Sequence, residues 1–182
     1  MTSDPIEVVN IAAKGDFGRE IDIRELAEAV DLPVSRYDPQ SHAAFFRLQE
    51  DEQLLILYRT GKYILRGGDD FDQMMEAHEG FLETFEQAGL EHSFPELTVK
   101  NIVAVGDLER EVNLNALSIG IGLEHTEYEP EQFPGVVYRP EDTPCVLLVF
   151  SNGRVVITGG PTREDALSAF LSLCDTVDAV LS

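Results

Sequence analysis

The chain has 182 residues, 43% of them hydrophobic and 26% charged, which is enough apolar material for one large domain or two small ones. It holds 34 acidic against 13 basic residues, a net charge of −21 with a pI near 4.3. No apolar run approaches the roughly 18 residues of a membrane span, and the start MTSDPIEVVN lacks the basic and apolar regions of a secretory signal, so a folded, cytoplasmic protein is expected. Such acidity would ordinarily argue against nucleic acid, whose phosphates ask for a basic surface. Only Lys14, Lys62 and Lys100 are lysines, however, and acid excess with scarce lysine keeps proteins hydrated in concentrated salt. At molar ionic strength the Debye length is about 3 Å. The charge therefore reports an environment and neither names nor excludes a partner. Cys145 and Cys174 have no metal-ligand spacing and read as reduced thiols.

Taken in chain order, the sequence repeats itself. Val8-Val9-Asn10-Ile11 matches Val99-Lys100-Asn101-Ile102, and at the same offset of 91 Gly15-Asp16 matches Gly106-Asp107, Arg19-Glu20 matches Arg110-Glu111, Tyr37 matches Tyr128 and Pro39 matches Pro130. Later the offset is 92, pairing Gly61 with Gly153 and Gly67-Gly68 with Gly159-Gly160. One residue is thus missing from the first copy, and a gap in the turn opposite Pro144 gives 18 identities in 61 positions. The repeats divide the chain at 1–92 and 93–182, with a short polar linker near Glu91 to Glu96.

Each repeat opens on an apolar strand, Ile6 to Ala13 and Leu97 to Val105. A short helix follows, with Ile23, Leu26, Ala27 and Val30 on one face, or Leu114, Leu117 and Ile121, and with Asp22 or Asn113 as N-cap. A meander comes next. In the second repeat its strands are Val136 to Tyr138, Val146 to Phe150 and Arg154 to Thr158, the last two joined at Asn152-Gly153, a strong hairpin signal. A long helix closes each repeat, about Asp70 to Ala88 and Thr162 to Leu181. Their stripes (Phe71, Met74, Met75, His78, Phe81, Leu82 and Phe85; Ala166, Leu167, Phe170, Leu173, Cys174, Val177 and Val180) are predicted core.

Two such units predict an α+β fold: a two-repeat, pseudo-symmetric arrangement with one continuous curved antiparallel sheet and helices on its convex face. Strand alternation puts Ile102, Val149, Val155 and Ile157 against the helices and Asn101/Val103, Leu148/Phe150 and Val156/Thr158 on the other face. That second face is also apolar, with no element left to cover it, which marks a binding surface.

The block YEPEQFPGVVYR…VLLVFSNGRVVITGG, with Asn101-Ile102-Val103, resembles the second repeat of the TATA-box-binding protein family, and the layout and length extend the resemblance over the whole chain. In the first repeat it rests on Val9 to Ile11, Tyr37-Asp38-Pro39, Gly61-Lys62 and Gly67. The resemblance implies a saddle seated in a widened minor groove, wedging base steps apart with Phe pairs; the family is itself the familiar example of a minor-groove kinker. It implies promoter DNA, transcription factor B and RNA polymerase as partners, and neither cofactor nor catalysis. Minor-groove edges offer mainly acceptors and separate only A·T from G·C, so an apolar face with few donors can read them by fit. On this reading Asn101 and Thr158 meet acceptors, while Val103, Leu148 and Val156 pack on sugars and bases. Phe133, with Pro134 beside it, and Phe150 are the wedges, and Arg139 and Arg154 reach phosphates.

The first repeat departs on this same face. His42 stands for Phe133, Tyr58 for Phe150, Arg66 for Thr158 and Ala12 for Val103, while Asn10, Ala43, Ile56 and Ile64 keep the expected character. Phe45 and Phe46 are the substitute wedges that a one-residue register shift would supply. Glu129, Glu131 and Gln132 lie in the loop that contacts transcription factor B in the family, although Gln132 replaces an apolar residue there. Elsewhere no nucleophile–base set, phosphate loop or metal spacing occurs, and His78, His92 and His125 stand apart in sequence. The competing expectation is a protein-binding regulator with weak or no DNA bending. A small-ligand carrier is disfavoured, since nothing closes the open face into a cavity.

Overall fold

The computed structural model describes residues 3–182. The elements are β1 (Ile6–Asp16), α1 (Ile23–Ala29), β2 (Val34–Asp38), β3 (Ala43–Arg47), β4 (Leu54–Tyr58), β5 (Lys62–Arg66) and α2 (Phe71–Gln87), then β6 (Thr98–Asp107), α3 (Leu114–Ile121), β7 (Thr126–Glu127), β8 (Val136–Tyr138), β9 (Val146–Val149), β10 (Arg154–Thr158) and α4 (Arg163–Leu181). The fold is α+β. It packs as two compact units, a leading one of residues 10–100 and a trailing one of residues 101–182 together with residues 3–9. The packing units and the sequence repeats are therefore different partitions of the chain. Among the described residues no helix is long and apolar enough to cross a membrane.

Within the leading unit the strands order β2-β3-β4-β5-β1, and within the trailing unit β6-β10-β9-β8-β7. Both helix pairs start where short polar side chains can accept orphan N–H groups. Asp22 Oδ1 accepts from Glu25 N–H at 3.0 Å and Asn113 Oδ1 from Ala116 N–H at 3.0 Å. Asp70 and Thr162 cap the two long helices in the same way. The helix-facing strand residues Ile102, Val149, Val155 and Ile157 are at most 1% exposed, as alternation predicts. Along α2, Met74, His78, Phe81, Leu82 and Phe85 are buried, but Met75 is 44% exposed and does not belong to the core stripe. It stands one position past Met74, about 100° round the helix from the packed face.

Glycine opposite an aromatic ring recurs in both units. A Cβ on Gly15 would lie 2.1 Å from the Tyr63 ring, and one on Gly106 2.5 Å from the Phe170 ring. The hairpin between β9 and β10 closes over three residues, with Gly153 N–H donating to the Phe150 carbonyl at 3.0 Å and only Gly153 at positive φ, +89°. The Asn-Gly signal thus marks a three-residue turn ending on glycine, and Gly61 (φ +89°) repeats it after Tyr58.

Register locates the missing residue. Ser35 pairs with Phe46 and Phe46 with Leu55; the matching partners are Thr126 with Tyr138 and Tyr138 with Leu147. Phe46 to Leu55 and Tyr138 to Leu147 are both nine positions, so the turn opposite Pro144 is the same length in each repeat. Ser35 to Phe46 is eleven positions and Thr126 to Tyr138 twelve. The gap therefore lies in the loop before β3, at Pro39 to His42, and not in the turn. Coincident acids, Glu50 with Glu141 and Asp51 with Asp142, drew the alignment to the turn; in so acidic a chain such matches carry little information.

Candidate nucleic-acid interface

In the trailing unit Val137, Leu148, Val156 and Val105 stand directly opposite one another on β8, β9, β10 and β6. Directly opposed residues point to the same side of a sheet, and all four are half-buried with no helix above them. Val103 and Val146 extend this apolar strip. Val105, Val137 and Val146 were not among the sequence-derived candidates; continuing the alternation from Val103 and Leu148 and along β8 would have found them.

Asn101 and Thr158 meet at one edge of the strip. Asn101 Oδ1 accepts the Gly159 N–H at 2.7 Å, and the Thr158 hydroxyl lies 3.2 Å from Asn101 Nδ2 and 3.3 Å from Oδ1. The Gly159 donor fixes which way the amide points. Its carbonyl is occupied and its NH2 retains hydrogens for an outside acceptor. In the leading unit Gly67 N–H donates to the Ile11 carbonyl at 3.0 Å instead. Arg66 there lies opposite Ala12 and Leu54.

At the far end of the strip the Phe133 and Phe150 rings pack edge-on, centroids 5.7 Å apart at 64°. Both are half-buried, and Pro134 beside them is exposed. Gly135 makes the contact possible: a Cβ there would sit 3.0 Å from the Phe133 ring and 3.2 Å from the Phe150 ring. The Glu129 carbonyl accepts N–H groups of Gln132 and Phe133, both at 2.9 Å, fixing the loop, while Glu129, Glu131 and Gln132 remain exposed. Arg154 is exposed opposite Asp107, and Arg139 Nε lies 3.6 Å from Glu127.

The leading unit builds this end differently. By register Ala43 stands where Gly135 does, so His42, exposed at φ +52°, takes the place of Pro134 and not that of Phe133 expected from the repeat, and it closes the shorter loop. Asp38 takes the Gln40 N–H and the Ser41 hydroxyl, and those hydrogen bonds hold its carboxyl below the usual range. His42 and Tyr58 line one cleft of about 770 Å³ with Tyr37 and Ser41, but no ring contact joins them. Ala43 (1% exposed) and Ile56 (8%) are beneath the surface, opposite Tyr58 and Phe45 respectively. A ligand on this face would meet Phe45, Ile64 and Ala12 instead. Phe46 is no wedge, being fully buried with its ring 4.9 Å from Phe85.

The histidines find partners that sequence did not show. His78 Nε2 is 2.6 Å from the Tyr63 hydroxyl, and His92 lies 3.1 Å from the Leu82 carbonyl. His125 lies 3.8 Å from both Glu124 and Glu141. None of these forms a reactive set, and among the described residues no three His, Cys, Asp or Glu side chains are grouped to hold a metal. Cys145 and Cys174 are free thiols whose titration burial pushes up.

The family model described as transcription factor TFIID, or TATA-binding protein, matches residues 5–88 and again 96–180. The chain belongs to the TATA-binding protein family. TATA-box-binding protein C of Halobacterium salinarum is 46% identical over 168 residues, covering 91% of this chain and 93% of that one. TATA-box-binding protein 2 of Haloferax volcanii is 37% identical over 180 residues, 98% and 96% of the two chains. The solved Methanococcus jannaschii TBP superposes with a TM-score of 0.84 at 35% identity, covering 97% of this chain and all of that one. Membership makes the chain a transcription initiation factor of a DNA-binding, non-enzymatic family. The two relatives come from halophilic archaea, in keeping with the acid excess as a salt adaptation.

Proposed function

We propose that the open faces bind A·T-rich promoter DNA through its minor groove, bend it, and present the complex to transcription factor B and RNA polymerase. The observation that carries this reading is the trailing unit's composite surface. An apolar strip, an amide oriented to donate and a preformed Phe pair match a groove of acceptors flanked by base steps that can be unstacked. Asn101, Thr158, Val103, Leu148 and Val156 read the groove, Phe133, Pro134 and Phe150 open a step, and Arg139 and Arg154 neutralise phosphate. Glu129, Glu131 and Gln132 form an exposed, rigid acidic turn suited to transcription factor B.

Random-sequence selection in molar KCl tests the reading, followed by fluorescence-transfer measurement of bending on the recovered site. An A·T-rich site should emerge. Phe150→Ala should lower affinity about 10- to 100-fold, the worth of one ring stacked on one base, and reduce the bend. Recovery of no A·T-rich sequence sinks the reading. The one-residue-shorter loop and Arg66 favour a second reading, a protein-binding regulator; capture of transcription factor B without any DNA affinity would select it.

A further inference from the structure

The basic residues are not spread evenly over this acidic chain. In the leading unit Arg36, Phe45, Ile56, Ile64 and Lys14 stand opposite one another on successive strands, so they share the open face. Alternation adds Arg47, Lys62 and Arg66. That face thus holds five of the 13 basic residues, with Asp16 and Asp38 as its only acids. The corresponding face of the trailing unit has two, Arg139 and Arg154, against Asp107 and Glu127. Moreover, in a chain with 34 carboxylates, none of the five is ion-paired among the described residues, whereas Arg139 is. Arg36 instead lies over the Phe45 ring, 4.4 Å from its centroid, and Arg47 donates to the Glu52 carbonyl. All three lysines of the chain, Lys14, Lys62 and Lys100, line one depression with Tyr58 and Ile64. A chain that avoids lysine elsewhere gathers its lysines there.

The wedge is missing from the same unit, and its loop and the start of β3 show why. The loop is one residue short, Ser41 and His42 lead into Ala43 where Phe133 and Pro134 lead into Gly135, and Ala43 puts a Cβ where Gly135 leaves room for two rings. We propose that the open face of residues 10–100 grips duplex phosphates through its unpaired cations and inserts no aromatic pair, so that the DNA is unstacked at one end only, by Phe133 and Phe150. This rests on the minor-groove reading above. Duplex phosphate is the occupant that fits, because its spaced anions match cations carried by four strands.

Two measurements on the selected site test it. Thymine oxidation by permanganate should show an unstacked step at one end of the site, and Phe150→Ala should abolish it. In a salt titration, Lys14→Gln with Lys62→Gln should flatten the dependence of log affinity on log KCl by about 0.9 per cation removed. Between about 0.5 and 2 M KCl the wild type's advantage over this variant should then shrink roughly tenfold. Both lysines are exposed and carry no side-chain hydrogen bond among the described residues, so the variant keeps its fold. Unstacking at both ends, or parallel salt curves, overturns the proposal and leaves minor-groove binding standing. Failure to bind any selected DNA overturns both.

Discussion

Removing one oxygen atom tests how the leading unit is built. Tyr63 is 1% and His78 4% exposed, and the hydroxyl and Nε2 are 2.6 Å apart with the rings stacked at 26°. Burial, with Asp16 nearby, drives the Tyr63 titration well upward, and burial pushes His78 down despite Glu79. Both groups are thus neutral, and each is the other's partner. Tyr63→Phe leaves the ring over Gly15 but strands the buried imidazole nitrogen, at a cost of about 1–3 kcal/mol. For a chain this size each kcal/mol lowers Tm by about 2–4 °C, so a fall of about 2–12 °C is expected in a melt at fixed molar KCl. The second repeat supplies the control, since Val155 and Phe170 occupy the matching places and the Phe170 ring covers Gly106. Tyr63→Val with His78→Phe transplants that pair and should regain much of the loss. The pH arm has a definite sign. A histidine depressed in the folded state takes up its proton first in the unfolded chain, where it titrates near 6.5. Its stabilising contribution is full above that pH and is lost as the pH falls below it. Wild type should therefore lose stability relative to the transplant as the pH falls below about 6.5. A Tyr63→Phe variant as stable as wild type, with no pH-dependent gap to the transplant, would refute the reasoning.

Two further outcomes follow from the same geometry. Asn101→Asp keeps an acceptor for the Gly159 N–H but replaces the outward NH2 with an anion, and should cost DNA affinity at least about tenfold without lowering Tm, a charge-assisted bond being worth about 1.5–3 kcal/mol; unchanged affinity in a gel shift would remove Asn101 from the interface. Gly15→Ala drives a methyl into the Tyr63 ring at 2.1 Å and should destabilise by about 1–3 kcal/mol in urea unfolding, whereas a neutral result would mean that the ring is free to move.

The elements that sequence reveals best are those whose periodicity is set by burial on one side. Alternation separated Ile157 and Val155 from Val156 and Thr158, and the polar caps Asp22 and Asn113 marked the helix starts. It failed where burial is weak. The edge strands β2 and β7 went unseen because Val34–Asp38 and Thr126–Glu127 are short, partly polar and paired on one side only. Ala43 and Ile56 have the right parity for the open face, yet larger neighbours cover them, which no periodicity can show.

By itself, then, the sequence determined the two-fold repetition, the α+β class and the open apolar face where the family's block is intact, since local patterning and turn chemistry act over a few residues. Only tertiary structure decided the rest. Register across three strands moved the missing residue into the loop that ends at His42. Contacts between residues far apart in the chain locked Asn101 onto Gly159, paired Tyr63 with His78, and set five unpaired cations on a single face. Hydrogen-bonded pairing counts residues exactly where acidic loops align by coincidence, and burial depends on neighbours that the chain brings together only on folding.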